Sequence, residues 1–118
     1  MNIRPYQKLI TWQESHKLCL SIYTITKQYP QDERFGLISQ MRRSASSVPT
    51  NIAEGNEKRS VKEKYHFFEI SKASLEELHY QCLLSRDLKY ISTEEFEKID
   101  SHIQRISYLF IKLRNSLN

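Results

Sequence analysis

Positive charge collects between residues 34 and 64, where it could neutralise the phosphates of a nucleic acid. Seven lysines and arginines fall in this stretch against three acidic residues. Arginine can hold two phosphate oxygens at once, and lysine adds a compact charge. The same pattern is typical of a solvated helix face, on which pairs such as Glu54 and Lys58 support each other. If the stretch binds RNA or DNA, the expected phosphate contacts are Arg42, Arg43, Lys58, Arg59, Lys62 and Lys64. The tail adds Arg105, Lys112 and Arg114 with no acidic residue among them.

A stripe of polar residues lies in the same region, with steps of four and three that place it on one helix face. Its members are Gln40, Ser44, Ser47, Asn51, Glu54 and Lys58. Serine and asparagine are weak helix formers, which makes them an unusual choice for a face with no task beyond solvation. We expect this face to pack closely against a helix, another subunit or a ligand. In the interaction-scaffold alternative, Ser44, Ser47 and Asn51 receive a protein partner.

Two His-x-x-Cys pairs could in principle hold a metal ion. His16 with Cys19 and His79 with Cys82 each place two ligand types one turn apart on a helix. Together they could form the Cys₂His₂ tetrahedron that suits zinc. Three of the four lie on or beside apolar stripes, where a free cysteine behaves as a small hydrophobic residue. We therefore expect no metal and no other cofactor.

Recognisable catalytic patterns do not occur in the sequence. There is no Gly-x-Ser-x-Gly or His-Glu-x-x-His motif, and the two glycines cannot form a phosphate-binding loop. Glu76-Glu77 and Glu94-Glu95 are adjacent in sequence, so a helix splays their side chains apart. We expect no catalytic residue and no enzymatic activity.

Length and composition place the chain among small helical proteins. A chain of 118 residues is the size of one domain, expected to span 1–118. Only two glycines and three prolines are present, too few for the turns of a many-stranded β-protein. The net charge of +4 permits nucleic acid without requiring it. The sequence shows no secretory signal, membrane span or disulfide framework, from which we expect a cytoplasmic protein.

Apolar residues recur at steps of three and four in four segments, separated by turn residues near positions 29–32, 54–57 and 90–93. The predicted stripe of the first segment follows Leu9, Trp12, His16, Cys19 and Tyr23. The second follows Ile38, Met41, Ala45, Val48 and Ile52. The fourth follows Phe96, Ile99, Ile103, Ile106, Phe110, Leu113 and Leu117. Ser60 and Ser92 each precede a glutamate by three residues, as in a capping box.

The third segment is apolar around more than half its circumference, because Tyr65, Phe67, Phe68 and Ile70 together cover several directions around the helix. Such a helix must be covered on several sides, either deep in the bundle or by another subunit. The apolar residues Leu18, Leu20, Ile22 and Ile25 lie off the first stripe and also favour oligomerisation. The predicted subunit interface consists of Ser44, Ser47, Asn51, Phe67 and Ile70.

Pro49 interrupts the hydrogen bonding of the second segment, although the apolar stripe continues past it in phase. We expect one kinked helix, and the alternative is two shorter helices with Ser47 as the new cap. The predicted fold is all-α: an up-down-up-down four-helix bundle with a proline-kinked second helix.

Residues 40–55 resemble the signature of the four-helix-bundle proteins encoded in bacterial 23S rRNA intervening sequences. The features are the pair Arg42-Arg43, then Ser47-Val48-Pro49, then Asn-Ile-Ala-Glu-Gly ending at Gly55. The stretches 12–18 and 67–78 are also similar to that family. One departure is the Ser-Lys-Ala-Ser run at 71–74, where alanine and glycine are expected for close helix contact.

The resemblance implies fold and assembly more than activity. The family is similar to the accessory protein of diversity-generating retroelements, a basic, ring-shaped homopentamer that engages nucleic acid and a reverse transcriptase. Some relatives carry a ribosomal-protein label. What the resemblance implies for this chain is a homo-oligomer, a pentamer on this analogy, that associates with RNA or other nucleic acid. The alternative is a scaffold or accessory subunit for a partner such as a reverse transcriptase.

Overall fold

The computed structural model describes residues 2–117, and four α-helices make up most of this range. The helices are α1 (Ile10–Ile25), α2 (Leu37–Asn56), α3 (Val61–Asp87) and α4 (Thr93–Asn115). Single 3-10 turns precede α1 at Pro5–Lys8 and connect α1 to α2 at Thr26–Gln28 and Gln31–Glu33. Within the described range there is no strand, and no helix is both long and apolar enough to cross a membrane. The predicted all-α class is confirmed.

Contacts between side chains show that neighbouring helices run in opposite directions. Ser47 on α2 meets Ser74 on α3, and Ser44 meets Gln81 further along. His79 on α3 contacts Asp100 on α4, whereas Tyr65 near the start of α3 reaches Arg114 near the end of α4. The up-down-up-down order of a four-helix bundle is therefore confirmed.

Two helices begin at the serines that the sequence marks as caps. The Ser60 hydroxyl accepts a hydrogen bond from the Glu63 amide at the start of α3. At the start of α4 the Ser92 hydroxyl accepts from the Glu95 amide, and the Glu95 carboxylate accepts from the Ser92 amide. These bonds satisfy amides that have no partner inside the helix, which fixes where α3 and α4 start.

The buried stripes of α2 and α4 follow the predicted ones, except that Ile38, Leu113 and Leu117 are half-buried and that Leu109 is also buried. Met41, Ala45, Val48 and Ile52 are all at most 1% exposed, and α4 buries Phe96, Ile99, Ile103, Ile106 and Phe110. Because apolar spacing on these two helices is regular, the sequence is sufficient to identify the buried face.

The predicted stripe of α1 is wrong by about one position. The helix buries Thr11, Ser15, Leu18, Cys19 and Ile22, whereas His16 and Tyr23 are exposed and Trp12 is half-buried. Hydroxyl groups can lie in this core because they bond to the helix backbone, as Ser15 does to the Thr11 carbonyl at 2.7 Å. Leu18 and Ile22 are therefore core residues and give no support to oligomerisation.

Helix α2 is longer than the turn residues predict. It continues through Glu54 and Gly55 to Asn56, so the connection to α3 lies at 57–60. It is also continuous through Pro49, which confirms one helix rather than two. Tertiary packing on α3 holds the final turn in helical form despite the glycine.

Small residues bring α2 and α3 close together. The Ser71 hydroxyl donates to the Val48 carbonyl at 2.6 Å, and the hydroxyls of Ser47 and Ser74 lie 2.8 Å apart. A bond between a side chain of α3 and the backbone of α2 needs a close approach. The serines at 71 and 74, which depart from the expected alanine and glycine, make this contact through hydrogen bonds. We call the contact the α2–α3 seam.

Gly55 completes the α2–α3 seam at the end of α2. A Cβ atom there would lie 2.9 Å from the Phe67 Cβ and from the Phe68 ring. Both neighbours are fixed, one by the backbone of α3 and the other by burial in the core. The position therefore requires glycine for space.

Histidine–carboxylate pairs connect α4 to both of its neighbours. His79 on α3 lies 2.8 Å from Asp100, and His102 lies 3.0 Å from Glu14 on α1. Burial raises the pKa of Glu14, but hydrogen bonds from Lys17 and His102 outweigh it, and the pKa is lowered overall. Glu14 is thus held as a carboxylate between α1 and α4.

We predict that Gly55→Ala destabilises the fold, although alanine is the better helix former. The propensity gain of about 1 kcal/mol is smaller than the overpacking cost of about 1–3 kcal/mol. Chemical denaturation should show a lower free energy of unfolding for Gly55→Ala and a change within about 0.5 kcal/mol for the exposed control Glu54→Ala. A stabilised Gly55→Ala would contradict the close approach.

We also predict an acid-dependent contribution from Glu14. Because its pKa is lowered on folding, the stabilisation is complete above the unfolded value near 4.5 and is lost as the pH falls below it. In urea titrations the wild type should lose more stability than Glu14→Gln between neutral pH and about pH 3. The control Glu97→Gln removes an exposed carboxylate and should follow the wild type. Parallel curves for wild type and Glu14→Gln would refute this role.

Candidate nucleic-acid interface

Positive charge is concentrated in one half of the bundle along its long axis. If each helix is divided at its midpoint, residues 2–17, 47–74 and 104–117 lie in the same half of the bundle, because the helices alternate in direction. This half holds eleven lysines and arginines against five acidic residues, and the other described half holds seven against nine. The net charge of +4 therefore conceals a basic half and a slightly acidic half. We call the first the basic half.

Four of the predicted phosphate contacts lie together where α2 gives way to α3. Arg59 and Lys62 are exposed, and no carboxylate of residues 2–117 forms an ion pair with either. The Lys58 ammonium lies 5.0 Å from the centre of the Phe67 ring. The Lys64 ammonium donates to the Asn56 carbonyl at 2.8 Å and so caps the end of α2. Lys58 and Lys64 are positioned by these contacts, and their charges are not cancelled.

Arg42 and Arg43 lie apart from this group, about 20 Å away along α2. Arg42 donates from Nε to the Thr26 hydroxyl at 2.9 Å and from its terminal nitrogen to the Tyr23 carbonyl at 3.2 Å. Its guanidinium also lies over the Tyr23 ring. Arg42 therefore caps the end of α1, because cations are favoured at a helix C-terminus. Arg43 is exposed and makes no such contact.

The end of α4 adds positive charge to the basic half. The sequence alone identifies these residues as a basic tail and does not show that they lie near the α2–α3 connection. Arg105, Lys112 and Arg114 are exposed, and among carboxylates of residues 2–117 the one that pairs with this group is Glu14, 3.6 Å from Arg105. Tyr108 and Tyr65 lie beside this group, with Lys112 near the first ring and Arg114 near the second. The four-residue spacing from Tyr108 to Lys112 is the sequence pattern that could have identified this contact.

The polar stripe on α2 is covered in large part by the same chain. Ser44 is 4% exposed and donates to the Gln81 side chain, so its predicted contact with another subunit is wrong. Ser47 bonds to Ser74, and the Asn51 amide donates to the Ser47 carbonyl at 2.8 Å. Of the three packing partners that the sequence left open, a helix is the one observed. Ser47, Asn51 and Phe67 are half-buried and Ile70 is exposed, so their contact with another subunit stays a prediction.

The two His-x-x-Cys pairs do not come together. His16 stacks on Trp12, and His79 contacts Asp100 rather than either cysteine. Burial raises the pKa of Cys19, and it raises that of Cys82 to about 12, which disfavours the thiolate that a metal needs. No cluster of three or more potential metal ligands occurs within residues 2–117.

Comparison with protein families gives a match over nearly the whole chain. The matching family model is described as 23S rRNA-intervening sequence protein and covers residues 7–112. No curated protein matches the sequence.

A solved structure from Bacteroides thetaiotaomicron has a similar fold. It is described as a protein with unknown function from the S23 ribosomal protein family. The TM-score is 0.82 at 23% identity, and the similarity covers 89% of this chain and 98% of the other. At this identity the likeness supports the bundle fold and nothing finer.

We predict that Arg42 and Arg43 differ in what they do for the fold. Arg42→Gln should lower the free energy of unfolding by about 1–2 kcal/mol, because two charge-assisted bonds to the end of α1 are lost. Arg43→Gln makes the same change of charge at an exposed position and should leave the stability unchanged. Thermal denaturation of the two variants measures this, and equal midpoints would contradict the capping role of Arg42.

Proposed function

The chain belongs to the 23S rRNA-intervening sequence protein family, and from that premise we propose that it is a non-enzymatic, homo-oligomeric bundle that associates with RNA. Neither the family description nor that of the S23 structure names a catalytic activity. The proposal concerns what the molecule binds rather than what it converts.

The observation that carries the proposal is the charge of the basic half. Eight of its eleven cations form no ion pair with a carboxylate of residues 2–117. Cations whose charge is not cancelled by a carboxylate are available to phosphates, and each contact releases a counterion from the nucleic acid. A polyanion is the partner that this distribution fits.

The proposed phosphate contacts are those of the α2–α3 connection, extended by the end of α4. Lys58, Arg59, Lys62 and Lys64 form the first group, and Lys112 and Arg114 the second. Arg43 lies in the other half and makes a smaller contribution. Because phosphate contacts carry no sequence information, binding through these groups depends on salt and only weakly on base identity.

The proposal includes self-association. Several large apolar side chains lie on the surface, among them Leu20 at 54%, Phe35 at 87% and Leu88 at 45% exposure. Together with Ile70 at 39%, they favour burial against further copies of the chain. A pentamer is the assembly that the resemblance implies.

Light scattering should give a multiple of the 14.1 kDa chain mass, and a monomer at all concentrations would contradict self-association.

The RNA part of the proposal is tested by binding of a labelled RNA fragment at several salt concentrations. We predict an affinity that falls steeply with salt, and a shallower salt slope for the double variant Arg59→Gln, Lys62→Gln. Each lost phosphate contact should reduce the slope by about 0.7–0.9. The matched control is Lys27→Gln, Lys98→Gln, which removes two exposed charges from the other half.

Two results would contradict the RNA proposal. One is an affinity that does not change with salt, or no binding at low salt. The other is an equal loss of affinity in both double variants, because the location of the charge would then be irrelevant.

A further inference from the structure

Tyrosine rings and cations form a surface where α3 begins and α4 ends. The Arg114 guanidinium lies 5.4 Å from the centre of the Tyr65 ring, and the Lys112 ammonium lies 5.6 Å from that of Tyr108. Neither Lys112 nor Arg114 forms an ion pair with a carboxylate of residues 2–117. We call these four residues the aromatic–basic patch.

The fold does not account for the position of Tyr108. Its side chain is 56% exposed and lies outside the hydrophobic core. Ile111, one turn further along α4, is 55% exposed and lies beside it. Glu76 and Asp100 line the groove on one side of Tyr108, whereas the Lys112 ammonium lies near its ring. The ring therefore offers a flat apolar face with a cation beside it.

A small groove between α3 and α4 adjoins the aromatic–basic patch. It has a volume of about 150 Å³ and lies between Tyr65 and Arg114, and it is also lined by Phe68, Phe110, Glu69 and Lys72. That volume is below the roughly 300–1,000 Å³ of most small-molecule sites. The groove suits a flat group that lies against the surface better than a ligand that is enclosed.

Exposed aromatic faces beside cations suit one form of nucleic acid in particular. A single strand can offer its bases to aromatic side chains while its phosphates meet lysine and arginine. In a duplex the bases are already stacked on each other, so a tyrosine at the surface gains nothing. Phosphate contacts alone would not distinguish the two forms.

We propose that the aromatic–basic patch binds single-stranded RNA by stacking a base on Tyr108, which is 56% exposed, while Lys112 and Arg114 hold the adjoining phosphates. This inference rests on the proposed function and adds the form of RNA that is bound. The patch and the α2–α3 connection lie in the same basic half, because α3 starts there and α4 ends there. One strand can therefore contact both groups of cations.

The experiment compares fluorescence anisotropy of a labelled single-stranded RNA and of the same strand in a duplex, at one low salt concentration. Tyr108→Ser should weaken single-strand binding about 5- to 100-fold, since one stacked base is lost, and leave duplex binding unchanged. Tyr108→Phe keeps the ring and should retain the affinity. The matched control is Tyr80→Ser, which removes a tyrosine that is 60% exposed in the other half of α3 and should change neither affinity.

The outcomes separate the inference from the proposed function. If the wild type binds RNA but Tyr108→Ser keeps its single-strand affinity, or loses single-strand and duplex binding equally, stacking at the aromatic–basic patch is overturned and the proposed function stands. If the wild type binds neither form at low salt, the proposed function is overturned and the inference with it. Circular dichroism of each variant confirms that the helices are intact.

Discussion

The backbones of α2 and α3 lie so close that the Val48 carbonyl accepts a bond from the Ser71 hydroxyl, and Gly55 has no room for a Cβ atom. Small residues are a requirement of this approach, and weak helix formers are tolerated in α2 because α3 supplies partners for them. The α2–α3 seam also explains why small and polar residues occur between positions 40 and 55, the region that resembles the family signature. Ser44, Ser47 and Gly55 have structural tasks inside one chain, and Arg42 holds α1 to α2.

This arrangement determines which charges can act on other molecules. A cation that caps a helix end, as Arg42 does, is committed to the fold. In contrast, the cations that form no ion pair with a carboxylate of residues 2–117 include Arg59, Lys62, Lys112 and Arg114. They lie at the same end of the bundle only because neighbouring helices alternate in direction. The basic half therefore depends on topology as much as on composition.

Periodicity predicts the fold well where apolar spacing is regular. The buried faces of α2 and α4, the serine caps and the passage of α2 through Pro49 could all be derived from residue types. The buried face of α1 could not, because hydroxyl groups replace apolar residues at Thr11 and Ser15. The Thr11 hydroxyl donates to the Leu109 carbonyl of α4, and the Ser15 hydroxyl donates to the Thr11 carbonyl of its own helix. The sequence groups Arg42 with the other five predicted phosphate contacts. It could not show that Arg42 caps the end of α1, because that contact depends on how α1 and α2 pack. Nor does the sequence show that Tyr65 and Tyr108 lie at the same end of the bundle, since 43 positions separate them.

The central claim is that RNA meets the basic half and leaves the α2–α3 seam untouched. Hydrogen–deuterium exchange of the protein with and without an RNA fragment tests it most directly, because it reports on every peptide of one preparation. The account predicts added protection in peptides from residues 57–72 and 104–117, a much smaller change in residues 40–50, where Arg43 lies, and none in residues 86–100. Protection centred on residues 40–50 or on 86–100, with residues 57–72 unchanged, would contradict it.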